Sequence, residues 1–446
     1  MPISYYHPPI ATTYARRLGL FDAVMVVIGG IIGGGIFLNP SIVAQRVGTA
    51  PLVLITWVLG GAIGLIGALA FAELGARRPD AGGGYVYLRE AFGPLPAFLY
   101  CWTFLFVVNS GGTAAIAVLF ARYAVDLAGV SPALVPAIAV GAILVLAGVN
   151  YFGVRPGSIT LNIFTVLKLA ALAAVIGVGL FASPHPHAVA ASVGASVGSP
   201  VRAVAVALIP VLFTYGGWAH ANNVAGEIID PARNLPRAMV IGVAIVISVY
   251  LLANGAYLRA LGVDGLATSA TPASDTMRAA LGPLGGRLIA AGIAASTFGF
   301  VNLCVLSGPR MLQAMAADGL FFRWAAFLHP RYRTPGPAII VQAVWAAALT
   351  LSGTYSQLLD YTVFGDWVFF ALIVATVFVY HRRDGTGPTT ATFRVPGYPW
   401  APAMFIVIAV LVVISTVLSS PGRALVGAAI IGSGALAYGV SRRRAA

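Results

Sequence analysis

The residues of this sequence best placed to do chemistry are glycines, because a glycine can expose the backbone around it. The stretch Ile28–Phe37 reads IGGIIGGGIF and contains five glycines in ten residues. Each glycine inside a helix costs about 1 kcal/mol relative to alanine, so we predict that the chain unwinds at Gly33–Gly35. The helical segment that follows would start with unpaired N–H groups and a positive dipole end, which suit a carboxylate. The preceding segment would end with free carbonyls near Ile31, which can accept from an ammonium.

A second glycine pair interrupts an apolar run half a chain later. The segment Pro210–Glu227 reads PVLFTYGGWAHANNVAGE, with Gly216 and Gly217 near its middle. A break at Phe213–Gly217 would supply more carbonyls, and the two breaks together would receive both ends of an α-amino acid. Glycines also let membrane helices pack closely, and we favour that explanation for the other glycines. At these two matched positions we favour a ligand site.

The composition places both segments in a lipid bilayer. The chain has 446 residues, of which 59% are apolar and 9% charged, whereas a soluble domain carries about 25% charged residues. The net charge of +13 does not indicate a nucleic-acid partner, because the arginines flank apolar runs and form no basic domain. With the N-terminus inside, eighteen arginines lie on the inner side and seven on the outer side. The positive-inside rule therefore predicts cytoplasmic termini in a multi-pass protein of the cell (inner) membrane.

Twelve apolar runs are long enough to span a bilayer, which takes about 20 residues. They cover residues 18–48, 51–76, 94–127, 132–151, 158–182, 201–228, 237–261, 284–316, 337–353, 357–381, 401–420 and 422–441. Runs 1 and 6 contain the glycine breaks, and each begins a block of five. This arrangement is typical of transporters that are built from inverted repeats and bind substrate near the midplane.

The expected fold is an all-α membrane protein with twelve transmembrane helices. The first ten would form a LeuT-like 5+5 inverted repeat with discontinuous helices 1 and 6, followed by two C-terminal helices. The expected units are a cytoplasmic tail (1–17), a first repeat (18–182), a second repeat (201–381), helices 11 and 12 (401–441) and a short cytoplasmic tail (442–446).

Several motifs resemble the amino acid–polyamine–organocation (APC) superfamily and, within it, the L-type amino acid transporters. The family's first-helix motif, G-S-G-I-F, corresponds to Gly33–Phe37, and its sixth-helix motif, F-x-Y-G-G-W, corresponds to Phe213–Trp218. Similar segments also occur at Asp230–Ala238, Gly308–Gly319, Arg333–Ala338 and Phe364–Phe370. The similar segments extend from span 1 to span 11, and their combination is specific to the family.

The resemblance implies a use for the backbone around both breaks. The amides of Gly34 and Gly35 would hold the substrate carboxylate, and the carbonyls of Ile31, Phe213 and Gly216 would hold the amino group. The whole substrate-binding set would be Ile31, Gly33, Gly34, Gly35, Phe213, Gly216 and Gly217.

Two aromatic residues near the second break also receive roles from the resemblance. Phe213 would close over the substrate as a gate, and Trp218 would support this gate by packing behind the break. An ordinary core position is the alternative for both residues.

Three residues differ from those that are usual in the family. Gly34 stands where serine is usual, Ala219 where asparagine is common in the animal proteins, and Gly226 where an acid is usual. The animal L-type proteins join a heavy chain through a cysteine between spans 3 and 4, and this loop contains none here. We therefore expect no disulfide-linked partner and a prokaryotic-type transporter that works alone.

Lys168 is the only lysine and lies near the middle of span 5. A cation there costs about 2.5–3.5 kcal/mol, so the presence of a lysine at this position requires an explanation. One explanation is a structural tie between helices. The other is that the ammonium replaces a sodium ion and bridges span 1 to Ser296 and Thr297 of span 8. The resemblance supports the second explanation, and whether Lys168 titrates is left open.

Other polar residues within the spans have alternative interpretations. Asn109, Ala219 and Asp366 are candidates for a side-chain pocket. Asp366 either faces a cationic substrate side chain or is solvated near the outer end of span 10, and we favour solvation. His220 is expected to be simply hydrogen-bonded.

Two carboxylates lie near the inner helix ends. Glu73 and Glu227 could form gate ion pairs with Arg77, Arg78 and Arg233, but we favour solvated interfacial carboxylates.

The predicted function is sodium-independent transport of α-amino acids, small or medium neutral ones foremost, by exchange or facilitated alternating access. The alternative is a proton-coupled importer of cationic amino acids or polyamines, which Asp366 would favour. No metalloprotease motif, paired intramembrane aspartate or nucleophile elbow indicates an enzyme, and no repeated filter indicates a channel. The expected partners are an amino acid substrate and the bilayer, with no cofactor and no metal.

Overall fold

The computed structural model describes residues 13–181, 199–353, 355–384, 392–419 and 421–445. Within these ranges the chain is helical and has one isolated parallel bridge, between Leu18 and Ile228, but no strand. The helices are α1 (Leu20–Ile31), α2 (Gly35–Val47), α3 (Ala50–Arg77), α4 (Gly84–Phe92), α5 (Pro94–Thr103), α6 (Ser110–Ala128), α7 (Val135–Tyr151), α8 (Val154–Phe181), α9 (Pro200–Tyr215), α10 (Ala219–Asn223), α11 (Pro231–Thr268), α12 (Pro272–Ala317), α13 (Gly336–Ser352), α14 (Tyr355–Asp384), α15 (Trp400–Ser419) and α16 (Pro421–Ala445). A π-helical turn covers Phe104–Asn109, and 3₁₀ turns cover Pro132–Leu134, Ala225–Glu227 and Arg323–Ala326.

The helices support a multi-pass membrane protein. Among the described residues, nine helical stretches are long and apolar enough to cross a bilayer, and α1 with α2 makes a tenth when the bent pair is counted as one span. Predicted spans 9 and 12 correspond to shorter apolar helices at Gly336–Ser352 and Ala424–Gly439. The all-helical membrane fold is confirmed, whereas the count of twelve, the inverted repeat and its boundaries stay predictions.

Two segments expected to be loops are helical instead. Helices α11 and α12 extend beyond predicted spans 7 and 8, with kinks at Gly262 (φ 68°) and Gly282 (φ 61°). These backbone conformations favour glycine. Helix α4 lies in the connection expected between spans 2 and 3. The sequence analysis missed these segments because it searched for apolar runs of spanning length.

Both glycine breaks are present where they were predicted. Helix α1 ends at Ile31 and α2 begins at Gly35, with a 42° bend between them. Helix α9 ends at Tyr215, and α10 begins at Ala219 after the two glycines. Gly217 adopts φ +108°, a left-handed conformation that side chains rarely adopt.

The two breaks pack backbone against backbone. A Cβ atom on Gly30 would lie 2.5 Å from the carbonyl oxygen of Gly217, and a Cβ on Gly217 would fall on the carbonyl of Gly30. Tyr250 of α11 joins the same contact: its hydroxyl donates to the carbonyls of Ile31 (3.0 Å) and Thr214 (3.3 Å). Glycine is therefore required at both positions by close approach, and at Gly217 also by conformation.

Replacing Gly217 by alanine should destabilise the protein. The new Cβ would collide with Gly30, and the strained φ alone costs about 1–3 kcal/mol. We expect a lower melting temperature for the detergent-purified Gly217→Ala protein.

The matched control is Gly148→Ala in α7, where a Cβ meets no atom within 4 Å. An alanine there gains about 0.5–1 kcal/mol of helix propensity, so its melting temperature should stay level or rise. Equal melting temperatures for the two variants would contradict the close packing of the breaks.

Candidate functional site

A cavity of about 170 Å³ lies where the two breaks face the side chains of neighbouring helices. Its wall includes the exposed backbone of both breaks. The lining residues outside the two break regions, Gly30–Gly35 and Leu212–His220, are Tyr100, Phe104, Val108, Asn109, Gly112, Ile116, Phe300, Cys304, Asp366, Trp367 and Phe370. A mostly apolar wall with a few polar groups is usual for a small-molecule site.

The fold brings most of the predicted site residues to this cavity. Those that line it are Ile31, Gly33, Gly34, Gly35, Asn109, Phe213, Gly216, Gly217, Ala219 and Asp366. Lys168, Trp218, Ser296 and Thr297 are buried and do not line it. The placement agrees with the predicted substrate-binding set, and the roles of its members stay predictions.

The start of α2 presents an uncapped helix N-terminus to the cavity. The helix begins at Gly35, Gly34 occupies the capping position, and no side chain caps this end. The first N–H groups of a helix lack helical partners and carry its positive dipole end. Because Gly34 and Gly35 both line the cavity, this end can offer N–H donors to a carboxylate.

The carbonyl of Ile31 is hydrogen-bonded, whereas the sequence analysis expected it to be free. It accepts from the N–H of Gly33 (2.9 Å) and from the hydroxyl of Tyr250 (3.0 Å). The carbonyl of Phe213 accepts from the N–H of Gly216 (3.2 Å). A substrate ammonium would therefore share acceptors with groups of the protein. Tyr250 comes from a distant helix, so the local sequence gave no sign of this bond.

Phe213 and Trp218 occupy different environments although both belong to the same sequence motif. Phe213 lines the cavity and is 45% exposed, whereas Trp218 is 1% exposed. The Trp218 ring stacks on Phe370 at 5.7 Å and meets Phe71 and Phe405 edge-on. This geometry agrees with Trp218 packing behind the break. Of the two residues, only Phe213 lines the cavity and can cover it.

Lys168 binds the end of α1. Its buried ammonium donates to the carbonyls of Gly29 (3.2 Å) and Ile32 (2.6 Å). Carbonyls at a helix C-terminus lack helical donors and carry the negative dipole end, so a cation is favourable there. The contact with span 1 agrees with the sequence analysis.

The expected bridge from Lys168 to span 8 is not formed. The buried hydroxyl of Ser296 has no hydrogen-bond partner, and that of Thr297 donates to the carbonyls of Ile293 and Ala294 in its own helix. Such back-bonding to the preceding turn is a common alternative for a helical threonine. The ammonium instead directs its bonds to the unwound segment of span 1.

Asp366 lies inside α14 and lines the cavity, so the preferred interpretation as a solvated residue at the outer helix end was wrong. No arginine or lysine occurs among the lining residues. The helix begins before the expected span, at Tyr355, which places Asp366 deeper than the sequence suggested. Its carboxylate is therefore available to a donor that enters the cavity.

Two further polar side chains line the same cavity. His220 contacts the hydroxyl of Ser307 at 2.6 Å, as expected for a hydrogen-bonded histidine. Asn109 ends the π-helical turn and donates to the carbonyl of Cys304 (3.2 Å). π-Helical turns are rare and frequent at functional sites. Asn109 was predicted as a candidate from the sequence, but the π-helical turn that positions it was not.

The carboxylates at the inner helix ends are buried, contrary to the preferred interpretation as interfacial groups. Glu227, just after the second break, forms a two-point ion pair with Arg310 of α12 at 3.1 and 3.0 Å, and neither side chain is more than 1% exposed. Arg233 is therefore not the partner of Glu227. Glu73 pairs with Arg77, which was the less favoured alternative, and also contacts His381 at 2.7 Å.

The fold and the cavity together define a helical membrane carrier whose site is built from broken-helix backbone. The chain matches the family described as amino acid permease over residues 18–439. It belongs to this family, within the APC superfamily. The chain is accordingly a permease and not an enzyme, as the sequence analysis predicted.

Three relatives show the extent of the similarity. The serine/threonine exchanger SteT of Bacillus subtilis (strain 168) is 32% identical over 438 residues, 96% of this chain and 98% of that protein. The human b(0,+)-type amino acid transporter 1 is 32% identical over 422 residues, 93% of this chain and 85% of that protein. The human large neutral amino acids transporter small subunit 2 is 32% identical over 374 residues, which are 81% of this chain and 69% of that protein. The predicted resemblance to L-type transporters is confirmed.

Gly35→Ala should weaken substrate binding. Its Cβ would lie 2.7 Å from the hydroxyl of Thr214, which is held by the carbonyl of Pro210 and the amide of Asn39. The start of α2 must then move away from the cavity. If this move removes about 1.4 kcal/mol of binding free energy, the affinity falls about tenfold, which can be measured as substrate-dependent thermal stabilisation and as uptake into proteoliposomes.

Gly177→Ala in α8 is the matched control, because a Cβ there meets no atom within 4 Å. Normal binding by the Gly35→Ala protein would show that the start of α2 does not hold the substrate.

Proposed function

We propose that this chain carries α-amino acids, small or medium-sized neutral ones foremost, across the membrane by sodium-independent exchange or facilitated transport. The observation that carries the proposal is the meeting of two helix breaks at one cavity. The positive end of α2 faces it, and the carbonyl ends of α1 and α9 lie beside it. Opposite dipole ends complement the carboxylate and the ammonium of a zwitterion. Relatives named as a serine/threonine exchanger and as amino acid transporters support the same substrate class.

Lys168 supports sodium independence. The carbonyls of Gly29 and Ile32 would suit a cation, and the ammonium already occupies them. A cationic side chain of the protein would hold the unwound segment without a bound metal ion. The proposal therefore gives Lys168 the place that an inorganic cation would otherwise take.

Alternating access would follow from movement of the broken helices. In the proposed cycle, α1, α2, α9 and α10 rock against the remaining helices, and the cavity opens to each side in turn. At the inner end, backbone hydrogen bonds from Arg17 and Leu18 to the carbonyl of Glu227 tie the start of span 1 to the end of span 6. These bonds favour joint movement of the two inner segments.

The proposed setting is the inner membrane of a prokaryotic cell, with both termini cytoplasmic and no disulfide-linked heavy chain. The arginine distribution supports this orientation. Both cysteines of the chain, Cys101 and Cys304, are free and at most 2% exposed. A disulfide to another chain would need an exposed thiol, so their burial supports a transporter that works alone.

A proteoliposome assay tests the proposed function. For the purified protein, we expect uptake of labelled serine or another neutral amino acid that is faster when the vesicles contain unlabelled substrate. Because Lys168 already fills the cation position, replacing sodium by choline should leave the rate unchanged. Uptake that requires sodium, or no uptake of any amino acid, would contradict the proposal.

A second candidate function follows from Asp366. A cavity carboxylate with no arginine or lysine in the same lining favours a substrate with a second positive charge. The candidate is a proton-coupled importer of cationic amino acids or polyamines. In the same assay its signature would be uptake of arginine driven by an inward proton gradient, with neutral amino acids transported poorly.

Lys168→Ala should abolish uptake, because the carbonyls of Gly29 and Ile32 would lose their donor. A buried acceptor without a partner costs about 1–3 kcal/mol, so the broken segment should lose its fixed geometry. Thr297→Ala is the control, since that hydroxyl bonds only within its own helix and its loss should leave uptake intact. Gel filtration checks that the Lys168→Ala protein is folded. Full uptake by the folded variant would show that transport does not require Lys168.

A further inference from the structure

Two helix connections meet at one end of the bundle, away from the cavity. One joins α7 to α8 around Phe152, and the other, residues 318–335, joins α12 to α13. The rings of Phe152 and Tyr332 are 5.6 Å apart and perpendicular. The hydroxyl of Thr334 donates to the carbonyl of Tyr151 (2.7 Å), which fixes the two connections to each other. The two connections therefore contact each other, and their exposed residues lie at the same end of the bundle.

This surface exposes large aromatic rings. Phe152, Phe322 and Trp324 are 58%, 54% and 52% exposed, and the rings of Phe322 and Trp324 stack on each other at 6.4 Å. The backbone here consists of turns, which do not occur facing the hydrocarbon core of a bilayer. Exposed aromatic residues at helix ends are typical of the membrane–water interface. Their position thus indicates contact with the headgroup region.

The same surface carries positive charge that the protein does not neutralise. Arg155, Arg323 and Arg331 are exposed, and none forms an ion pair with a described carboxylate. The chain contains no aspartate or glutamate at residues 127–226 or 319–350. The nearest acid along the chain, Asp318, already binds Arg89 and Tyr85. These exposed arginines are therefore available to anions from outside the chain.

We propose that this surface, which consists of Phe152, Arg155, Phe322, Arg323, Trp324 and Arg331, binds the anionic headgroups of phospholipids. We call it the arginine–aromatic surface. Arginines bind phosphate through paired N–H donors, and the flanking rings sit among lipid headgroups, which a free anion would not require. Attraction to an anionic leaflet is worth about a fivefold change in binding per arginine. The partner is thus a lipid such as phosphatidylglycerol in the leaflet that faces the cytoplasm.

The arginine–aromatic surface belongs to helices that do not contain a break. Its residues lie beside α7, α8, α12 and α13, and none lies in α1, α2, α9 or α10. A lipid bound there would hold these helices at a fixed depth while the broken helices move. This inference concerns the membrane and does not depend on which substrate the cavity takes.

The test compares two triple variants with the same change in net charge. The first replaces the surface arginines (Arg155→Gln, Arg323→Gln, Arg331→Gln). The matched control replaces exposed arginines at the predicted outer side (Arg202→Gln, Arg259→Gln, Arg287→Gln). Native mass spectrometry of the full-length protein, mixed with phosphatidylglycerol and phosphatidylcholine, measures the lipid retained by each.

Wild type and the control triple should retain phosphatidylglycerol in preference to phosphatidylcholine, and the surface triple should lose this preference. Loss of about fivefold per replaced arginine is the expected size. Equal retention by the two triples, or displacement of the lipid by millimolar inorganic phosphate, would overturn the proposal.

A second measurement does not depend on the arginines. Phosphatidylglycerol brominated near its headgroup should quench part of the tryptophan fluorescence of the protein in vesicles. This part should disappear in the Trp324→Phe variant. Identical quenching of the variant and the wild type would place Trp324 away from the lipid and contradict the proposal.

Discussion

The structure depends on how the chain satisfies backbone groups that two helix breaks leave unpaired within a membrane fold. An unpaired N–H or carbonyl in hydrocarbon costs several kcal/mol, and non-helical backbone is tolerated only where protein or a cavity surrounds it. Here both conditions hold. The breaks pack directly on each other at Gly30 and Gly217, and the remaining side of each faces the cavity. Any side chain larger than hydrogen at these glycines would separate the two segments.

Side chains from distant helices bind the carbonyls at the end of α1 and leave the N–H groups at the start of α2 open. Tyr250 and Lys168 donate to carbonyls at the end of α1, so the negative end of that helix is already supplied with donors. The start of α2 receives no side-chain cap. The outcome is an asymmetric cavity that has unused N–H donors on one side. In the proposed function, this asymmetry would let a wall without arginine or lysine receive the substrate carboxylate.

The second break is also connected to the inner end of the protein. Glu227 follows the break within a few residues, and its pairing with Arg310 joins the short inner segment of span 6 to α12. Breaking a buried pair of this kind by removing one partner is costly, because the other charge stays buried. The backbone bonds from the Arg17–Leu18 segment to Glu227 attach span 1 to the same point. The two breaks are therefore joined to each other at this end, and their movement against α12 would require the Glu227–Arg310 pair to open.

The sequence by itself determined the properties that are local. Low charge and long apolar runs required a membrane fold, and glycines at Gly33–Gly35 and Gly216–Gly217 required breaks, because helix propensity and conformational freedom belong to the residues themselves. The motifs around them indicated the family. Only the tertiary structure decided which groups complete the site: Tyr250 on the Ile31 carbonyl, Arg310 rather than Arg233 on Glu227, Asp366 at the cavity, and no bond from Lys168 to Thr297. These choices depend on distances between helices far apart in the chain, and local residue preferences carry no information about such distances.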